Sequence, residues 1–517
     1  MATSKVAYLV KPKIVNGVEG EAIVELRDIE IPTPGPGEIL VKVEGCGICG
    51  TDVHEYRYNP FGYKEIVLGH EGTGEVIAVG EGVTVDTKGD PIKVGDKVVT
   101  SVLLCGECDY CKRYPELPNL CAGLGVYGLI EDDDAHHNNG WFAEHILVRK
   151  NSSIFVVNDK TLDERMLIEP ACVCVHSWNR AKSTNIIDFS STVLVQGCGP
   201  IGLMQIAVLK AAGVVNIIAV DGVETRLNLA KEMGATHVIN FRELKTIEER
   251  VAQVQALTKG FGADFVFQCT GVPQAAADAY KYVRRGGGYC EMGFFVNNGE
   301  YSVNPHFAMC NKEINLVGSW DYSAQEYIHT LGFLTKAKEM GIPVEKLVTH
   351  HYKLDEYVEA MEKNISGRVI FSFVVEKDGS TSDFTVLQAP DKLLADEVER
   401  IFKTCPKWEP GTQRGEKVRV KYTVPIVFAI QGNNAANEGL KVVGVKSQPK
   451  TAESEAAIAE FKKTADIVIK SENGKETYFV NGKEVKKEDV GAYEPEKVVV
   501  DGAHSDGVKI VYIKVKK

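Results

Sequence analysis

A chain of 517 residues and 56.6 kDa is too long for one ordinary core, and about three domains follow from length alone. With 44% hydrophobic and 25% charged residues, 49 Gly and 19 Pro, its composition is that of a globular protein and excludes collagen, coiled coil and wholesale disorder. The net charge of −12 argues against nucleic acid or an anionic membrane as the main partner.

The opening segment MATSKVAYLVKPKIVNG has no apolar core of a secretory signal, and no later apolar run approaches the ~20 residues of a membrane span. Thirteen cysteines in such a chain read as reduced thiols or metal ligands, and the expected location is the cytoplasm. The first ~175 residues carry short β-branched runs broken by glycine (GEILVKVEGCGICG, GHEGTGEVIAVGEGV, VGDKVVTSVLL), which predict a β-rich, barrel-like domain. Near Ser191 the texture changes. The strand TVLVQG, a glycine turn and the helix LMQIAVLKAAG are followed by NIIAVD, a polar helix and THVINF, then by ADFVFQCTG and GGGYCEMGF. Strands alternating with helices predict a doubly wound parallel sheet. From about Glu376 come the turn EKDGS, the strand FTVLQ, the amphipathic helix LLADEVERIFKTC and the strand VRVKYTVPIVFAI. QGNNAANEG reads as a linker, SEAAIAEFKKTADI as a charged helix, and ETYFVNGKEV and GVKIVYIKVKK as strands. No internal repeat is visible.

Three sets of residues carry chemistry. Cys105, Cys108, Cys111 and Cys121 stand in C-x2-C-x2-C-x9-C spacing, which lets four thiolates close a tetrahedral shell; an ion so enclosed has no place for substrate and is structural. A dispersed set holds Cys46, Cys49, Thr51 and Asp52 in GCGICGTD, His70 and Glu71 in LGHEGTG, and Glu169, Cys172, Cys174 and His176 in LIEPACVCVHSW. Singly, each is as well read as a buried small thiol, a structural histidine or a solvent-facing acid. Together they offer the Cys/His/carboxylate set that a catalytic zinc takes. The third set, Gly197-Cys198-Gly199-Pro200-Ile201-Gly202, is G-x-G-x-x-G after a strand and opening a helix. Gly197 permits the tight turn, Gly199 close approach of a pyrophosphate, and Gly202 close helix–strand packing, while the helix N-terminus offers free N–H groups. Asp221 ends the next strand, where a carboxylate accepts from ribose hydroxyls and repels a 2′-phosphate. NAD is therefore expected over NADP, a preference softened by Arg226.

At these residues the chain resembles the zinc-dependent medium-chain alcohol dehydrogenases over about residues 1–373, through GICGTD, GHE, the four-cysteine lobe, LIEP and VQGCGPIG with Asp221 in family order. The resemblance implies a GroES-like zinc catalytic domain over 1–178, completed by 322–373, and a Rossmann NAD-binding domain over 179–321. It assigns a catalytic zinc to Cys49 and His70, with the third ligand position on Glu169 and Glu71 as the neighbouring carboxylate, the choice between the two acids staying open. It assigns a structural zinc to Cys105, Cys108, Cys111 and Cys121, whose last spacing is longer than usual. Thr51 and His54 become a proton relay, and Arg368 a cation for the cofactor pyrophosphate. The reaction implied is hydride transfer between NAD and a secondary alcohol, polyol or sugar alcohol, with zinc as Lewis acid. A carboxylate in place of a second thiolate makes the ion harder and favours an oxygen-rich substrate. A homo-oligomer is the family's expectation.

Residues 374–431 resemble a TonB carboxy-terminal domain, a small α+β module that in its family offers a strand edge to a protein partner. Residues 432–517 read as a linker and a short β-rich tail module. The whole is an α/β multi-domain chain. Two other readings stand beside the dehydrogenase: an envelope-associated adaptor in which the carboxy-terminal module binds the partner, and a zinc-free quinone reductase of the same superfamily. A lost ligand or a lost cysteine lobe would favour one of them, and the sequence has lost neither.

Overall fold

The computed structural model describes residues 2–15, 18–133 and 136–362, and beyond them the stretches 367–378, 380–388, 411–413, 416–428, 467–472, 475–480, 483–485, 495–501 and 509–515. The chain divides into two compact units, the first holding Met1–Gly367 and the second Arg368–Val427 and Leu440–Lys517.

The first unit opens on antiparallel sheets. Strand β1 (Thr3–Lys11) pairs with β2 (Ile23–Glu30) and with the short Ile66–Val67. A five-stranded sheet follows, from β3 (Ile39–Gly47), β4 (Glu71–Val79), β5 (Lys97–Leu103), β6 (His145–Val148) and β7 (Ser152–Val156), in the order β7-β5-β4-β3-β6. Every neighbouring pair in it is antiparallel. Helix α1 (Gly50–Tyr58) leaves the end of β3, and helix α2 (Ile168–Lys182) carries the chain onward. This is the GroES-like part.

The second half of the unit is a six-stranded parallel sheet: β8 (Thr192–Gln196), β9 (Asn216–Asp221), β10 (His237–Asn240), β11 (Ala263–Gln268), β12 (Val283–Glu291) and β13 (Asn315–Gly318). Its order is β10-β9-β8-β11-β12-β13, so the winding reverses between β8 and β11, the switch point of a Rossmann sheet. The strand TVLVQ shows why it lies buried on both faces. Val193 and Val195 pack in one core with Leu203, Met204 and Ile206 of helix α3 (Pro200–Ala211), while Leu194 packs in the other with Val266 and Tyr282. A near-continuous apolar run is what covering both faces requires. Helix α4 (Ala324–Glu339) packs on α2, where His176 Nδ1 lies 2.9 Å from Glu326 Oε1.

In the second unit β14 (Gly367–Val375) is the middle of a three-stranded sheet, between β15 (Thr381–Gln388) and β16 (Val420–Phe428). Both FTVLQ and most of VRVKYTVPIVFAI are strands, as expected. The tail forms a five-stranded antiparallel sheet in which ETYFVNGKEV supplies Lys475–Val480 and Lys483–Val485, and GVKIVYIKVKK supplies Lys509–Val515. Two further strands, Ile467–Glu472 and Pro495–Asp501, complete it. The helix LLADEVERIFKTC, the linker QGNNAANEG and all but the last residue of SEAAIAEFKKTADI lie outside the described residues.

Candidate metal centre and nucleotide cleft

The end of β3 and the start of β4 run side by side, with Gly47 opposite Glu71. Cys49 caps α1, and Asp52, three residues on, accepts a hydrogen bond from Cys49 N (2.8 Å) through one carboxylate oxygen and from Gly69 N (3.0 Å) through the other. Asp52 thereby fastens the loops of both neighbouring ligands to one buried group. A Cβ on Gly47 would lie 1.9 Å from Glu71 Oε2, so a larger residue there would push the Glu71 carboxylate from its place. The donor atoms of Cys49, His70 and Glu71 all lie within 4.8 Å of one another.

Electrostatics show what this pocket lacks. Burial pushes the Cys49 thiol up against the pull of His70. Burial and then the Glu169 charge raise Glu71 to about 8. Burial disfavours the His70 cation, yet Asp52 and the Cys49 sulfur outweigh it and hold its pKa well above normal. His70 Nδ1 lies 3.3 Å from Asp52 Oδ1, but off line, and makes no hydrogen bond although it is buried. One thiol, one imidazole and acids that repel each other in a buried pocket suit a dication, which favours thiolate, neutral imidazole and carboxylate together. The residues present fit zinc.

Glu169, in the first turn of α2, stands outside the three-residue group, and its charge acts on Glu71. The geometry thus gathers Glu71, the acid read from sequence as the neighbour, with Cys49 and His70. Thr51 is buried, its Oγ1 3.8 Å from Cys49 Sγ, and His54 follows one turn along α1. Burial, then Arg57, lower the His54 pKa and favour its neutral ring.

The cysteine lobe closes on itself despite its long last spacing. A five-residue helix (Asp109–Arg113) and a 3-10 turn (Pro118–Leu120) take up the extra chain. The Sγ–Sγ distances are 3.6 Å for Cys108–Cys111, 3.5 Å for Cys111–Cys121, 3.4 Å for Cys121–Cys105, and 3.9 Å for Cys105–Cys111 and for Cys108–Cys121. Four ligands at about 2.3 Å from one zinc stand about 3.8 Å apart, so this shell fits the ion. The amides of Cys111 and Ala122 point at Cys108 Sγ and hold that thiol down at about 6. Beside Cys121, Asn119 Nδ2 donates to the Trp320 carbonyl (2.9 Å), tying the lobe to the segment after β13.

The glycine turn is built as its pattern predicts. Gly197 has φ +93°, and Gly202 is held by space, because a Cβ there would lie 1.8 Å from the Gly197 carbonyl. A Cβ on Gly199 meets nothing within 4 Å, which leaves that backbone open to approach. Gly199 caps α3, with Pro200 and Ile201 in its first turn. Asp221 is buried at the end of β9: Oδ2 accepts from Cys198 N (2.8 Å), and Oδ1 from Gly222 N and Val223 N (2.7 and 2.9 Å). Arg226 is exposed on the helix that follows. Arg368 lies on β14, in the second unit, and its side chain is outside the described residues.

Sequence reading named Asp52 without a role, although its place three residues after a helix cap is the signal for such a bond. Trp320 and Asp321 carried no signal at all. No described helix is long and apolar enough to cross a membrane.

Comparisons with known proteins identify the family. The model for an alcohol dehydrogenase GroES-like domain matches residues 35–159, that for a zinc-binding dehydrogenase 200–336, and that for the Gram-negative bacterial TonB protein C-terminal 358–430. The sorbitol dehydrogenase of Bacillus subtilis is 34% identical over 347 residues, 66% of this chain and 90% of its own. An alcohol dehydrogenase structure from Thermotoga maritima is similar at a TM-score of 0.63 and 29% identity, covering 70% of this chain and 97% of its own. An alcohol dehydrogenase from Escherichia coli CFT073, complexed with NADH, has a TM-score of 0.57 and 28% identity over 70% of this chain and 95% of its own. Glycine turn, paired thiolate sites and two-part fold thus converge on one conclusion: the chain belongs to the zinc-dependent medium-chain alcohol dehydrogenases, oxidoreductases that join zinc to a nicotinamide cofactor.

Proposed function

We propose that this protein oxidises a secondary alcohol or polyol with NAD, with Cys49, His70 and Glu71 holding a catalytic zinc and Cys105, Cys108, Cys111 and Cys121 a structural one. When bound, zinc supplies Lewis acidity and NAD the hydride acceptor. The chain supplies the rest. Asp52 holds the loops of Cys49 and His70 and faces the ring of His70. Thr51, beside the Cys49 sulfur, takes the substrate proton at its hydroxyl, and the neutral His54 passes it to water. Glu169 faces the same pocket and offers oxygen to a hydroxyl-rich substrate or, by exchange, to the metal. Gly199 and the start of α3 receive the pyrophosphate, while Asp221 favours ribose hydroxyls over a 2′-phosphate.

The observation that carries this reading is the gathering of Cys49, His70 and Glu71 within 4.8 Å. The adaptor reading has no observation in its favour, and the cysteine lobe and the complete ligand set oppose the quinone reductase. A cytoplasmic homo-oligomer, with the carboxy-terminal module free to bind a protein, is consistent with this reading. The test is an NADH-coupled screen over alcohols, diols and polyols, with metal analysis of the full chain. Two zinc ions per chain and loss of turnover in Cys49→Ser are expected; full turnover by Cys49→Ser would overturn the proposal.

A further inference from the structure

A small pocket opens at the end of the Rossmann sheet away from the glycine turn. The strands run parallel. The turn follows the carboxyl end of β8, whereas the pocket lies at the amino ends of β11 and β12, next to Gly262 and Val283. The six residues of β11 rise about 20 Å, so the pocket is separate from the nucleotide cleft. Its volume is about 190 Å³. Val251 and Val254, from the helix Ile247–Leu257, and Val283 form its apolar side.

Lys281, Arg284, Arg285 and Lys312 line the same pocket, and among the described residues no carboxylate does, in a chain whose net charge is −12. Acids from outside answer two of these cations. Asp264 Oδ1 accepts from Arg284 Nε (2.5 Å) while its Oδ2 is taken by Thr192 N (2.7 Å), and Glu248 lies 3.8 Å from Lys281. Arg285 is exposed and Lys312 half-buried, and among the described residues neither forms an ion pair. Lys312 Nζ donates to the carbonyls of Tyr280 and Val283 (2.8 Å each), which anchor the ammonium and leave one of its three N–H groups over. Burial lowers its pKa, because the cation is partly stripped of water and no anion answers it. Two unanswered cations in one concavity repel each other until an anion joins them.

A ring completes the pocket. Phe261 sits on the loop after the helix, where Gly260 N donates to the Gln255 carbonyl (2.7 Å) and Gly262 N to Thr258 Oγ1 (2.8 Å). Lys259, Gly260 and Gly262 have φ +54°, +89° and +94°, and a left-handed lysine is kept only where its surroundings impose it. The loop is thus pinned in a shape that leaves Phe261 74% exposed while it lines the pocket. Two spare positive charges match a phosphomonoester, which carries about 1.5–2 negative charges at neutral pH, and a guanidinium fork suits its oxygens. A carboxylate would answer only one of them. We propose that this pocket is a second small-molecule site, for a phosphomonoester carrying a flat ring, with Arg285 and Lys312 on the phosphate and Phe261 on the ring. The site goes beyond the dehydrogenase reading and does not depend on it.

The experiment titrates the full, zinc-loaded chain by calorimetry with phenyl phosphate, inorganic phosphate and anisole, with and without saturating NADH to fill the nucleotide cleft. Phenyl phosphate is expected to bind with NADH in place, inorganic phosphate about fivefold more weakly for want of the ring, and anisole not measurably. Arg285→Gln is expected to weaken both phosphates by about tenfold, and Phe261→Ser to weaken phenyl phosphate alone, by about fivefold. Both residues are exposed, and an unchanged melting temperature shows that each variant is folded. Absence of phenyl phosphate binding overturns the proposal. Binding that NADH abolishes belongs to the nucleotide cleft, and binding that neither variant moves lies elsewhere; either result overturns it too. Equal affinity for the two phosphates overturns the part given to Phe261.

Discussion

Asp52 does at the residue scale what no ligand can do for itself. It has no exposed surface, both its oxygens are spent on the backbone of the loops that carry Cys49 and His70, and the imidazole lies against it. Partners of this kind fix ring orientation and strengthen a ligand, and their loss commonly costs ten- to a hundredfold in metal affinity. Asp52→Asn is therefore expected to lower zinc affinity by about tenfold or more. Competition with a chromophoric chelator measures it, and an unchanged affinity would exclude the role. Cys49, His70 and Glu71 stood out as candidates because they sit in short motifs whose spacing has a chemical reason. The sequence put the third ligand position on Glu169 and left Glu71 as its neighbour, since only the pairing of β3 with β4 brings Glu71 to the Cys49 side. Asp321 was illegible: nothing in SWDYS reveals a left-handed backbone.

Among the elements, α3 shows how closely the turn and the helix are joined. Gly202 stands against the Gly197 carbonyl with no room for a methyl group, so Gly202→Ala forces the helix away from the turn. A loss of about 1–3 kcal/mol in unfolding free energy and weaker NADH binding are expected together, read by denaturant titration and by nucleotide fluorescence. The join between α2 and α4 is polar. Glu326 meets His176 (2.9 Å) and Asn179 (3.1 Å) of α2 and caps its own helix through Ser323 N (2.9 Å). Burial would raise its carboxyl, but the bond to His176, with its charge, outweighs burial and holds the pKa below normal. A carboxyl lowered on folding stabilises the protein above its unfolded pKa, near 4.3, and that stability is lost as pH falls through the folded value. The stability gap between the parent and Glu326→Gln is thus expected to be full at pH 6 and to shrink below about pH 4. A gap that widens on acidification would refute the linkage. The Rossmann strands were legible because burial on both faces demands unbroken apolar runs. The tail's extra strands were not: IVIKSE follows a charged helical pattern, and PEKVVVD is short and opens on proline.

For the whole molecule, the two family patterns meet in one place. The TonB-type match begins at residue 358, before the first unit ends at Gly367, and β14 lies inside it as the middle strand of the second unit's first sheet. GRVIFSFVV could be claimed by either family on sequence, because a single β-branched strand carries no mark of the sheet it joins. Length alone called for more than one core, and the chain divides into two units.

The Asn119–Trp320 bond gives the four-cysteine lobe a second office. Asn119 lies between Cys111 and Cys121, and its side-chain amide holds the Trp320 carbonyl, so the lobe fixes the backbone of the segment that follows β13. On the proposal that the lobe holds a zinc, mild chelation is expected to loosen the segment around Trp320 before it abolishes turnover. Partial chelation, followed by tryptophan fluorescence alongside the rate, should show the tryptophan environment changing while turnover persists.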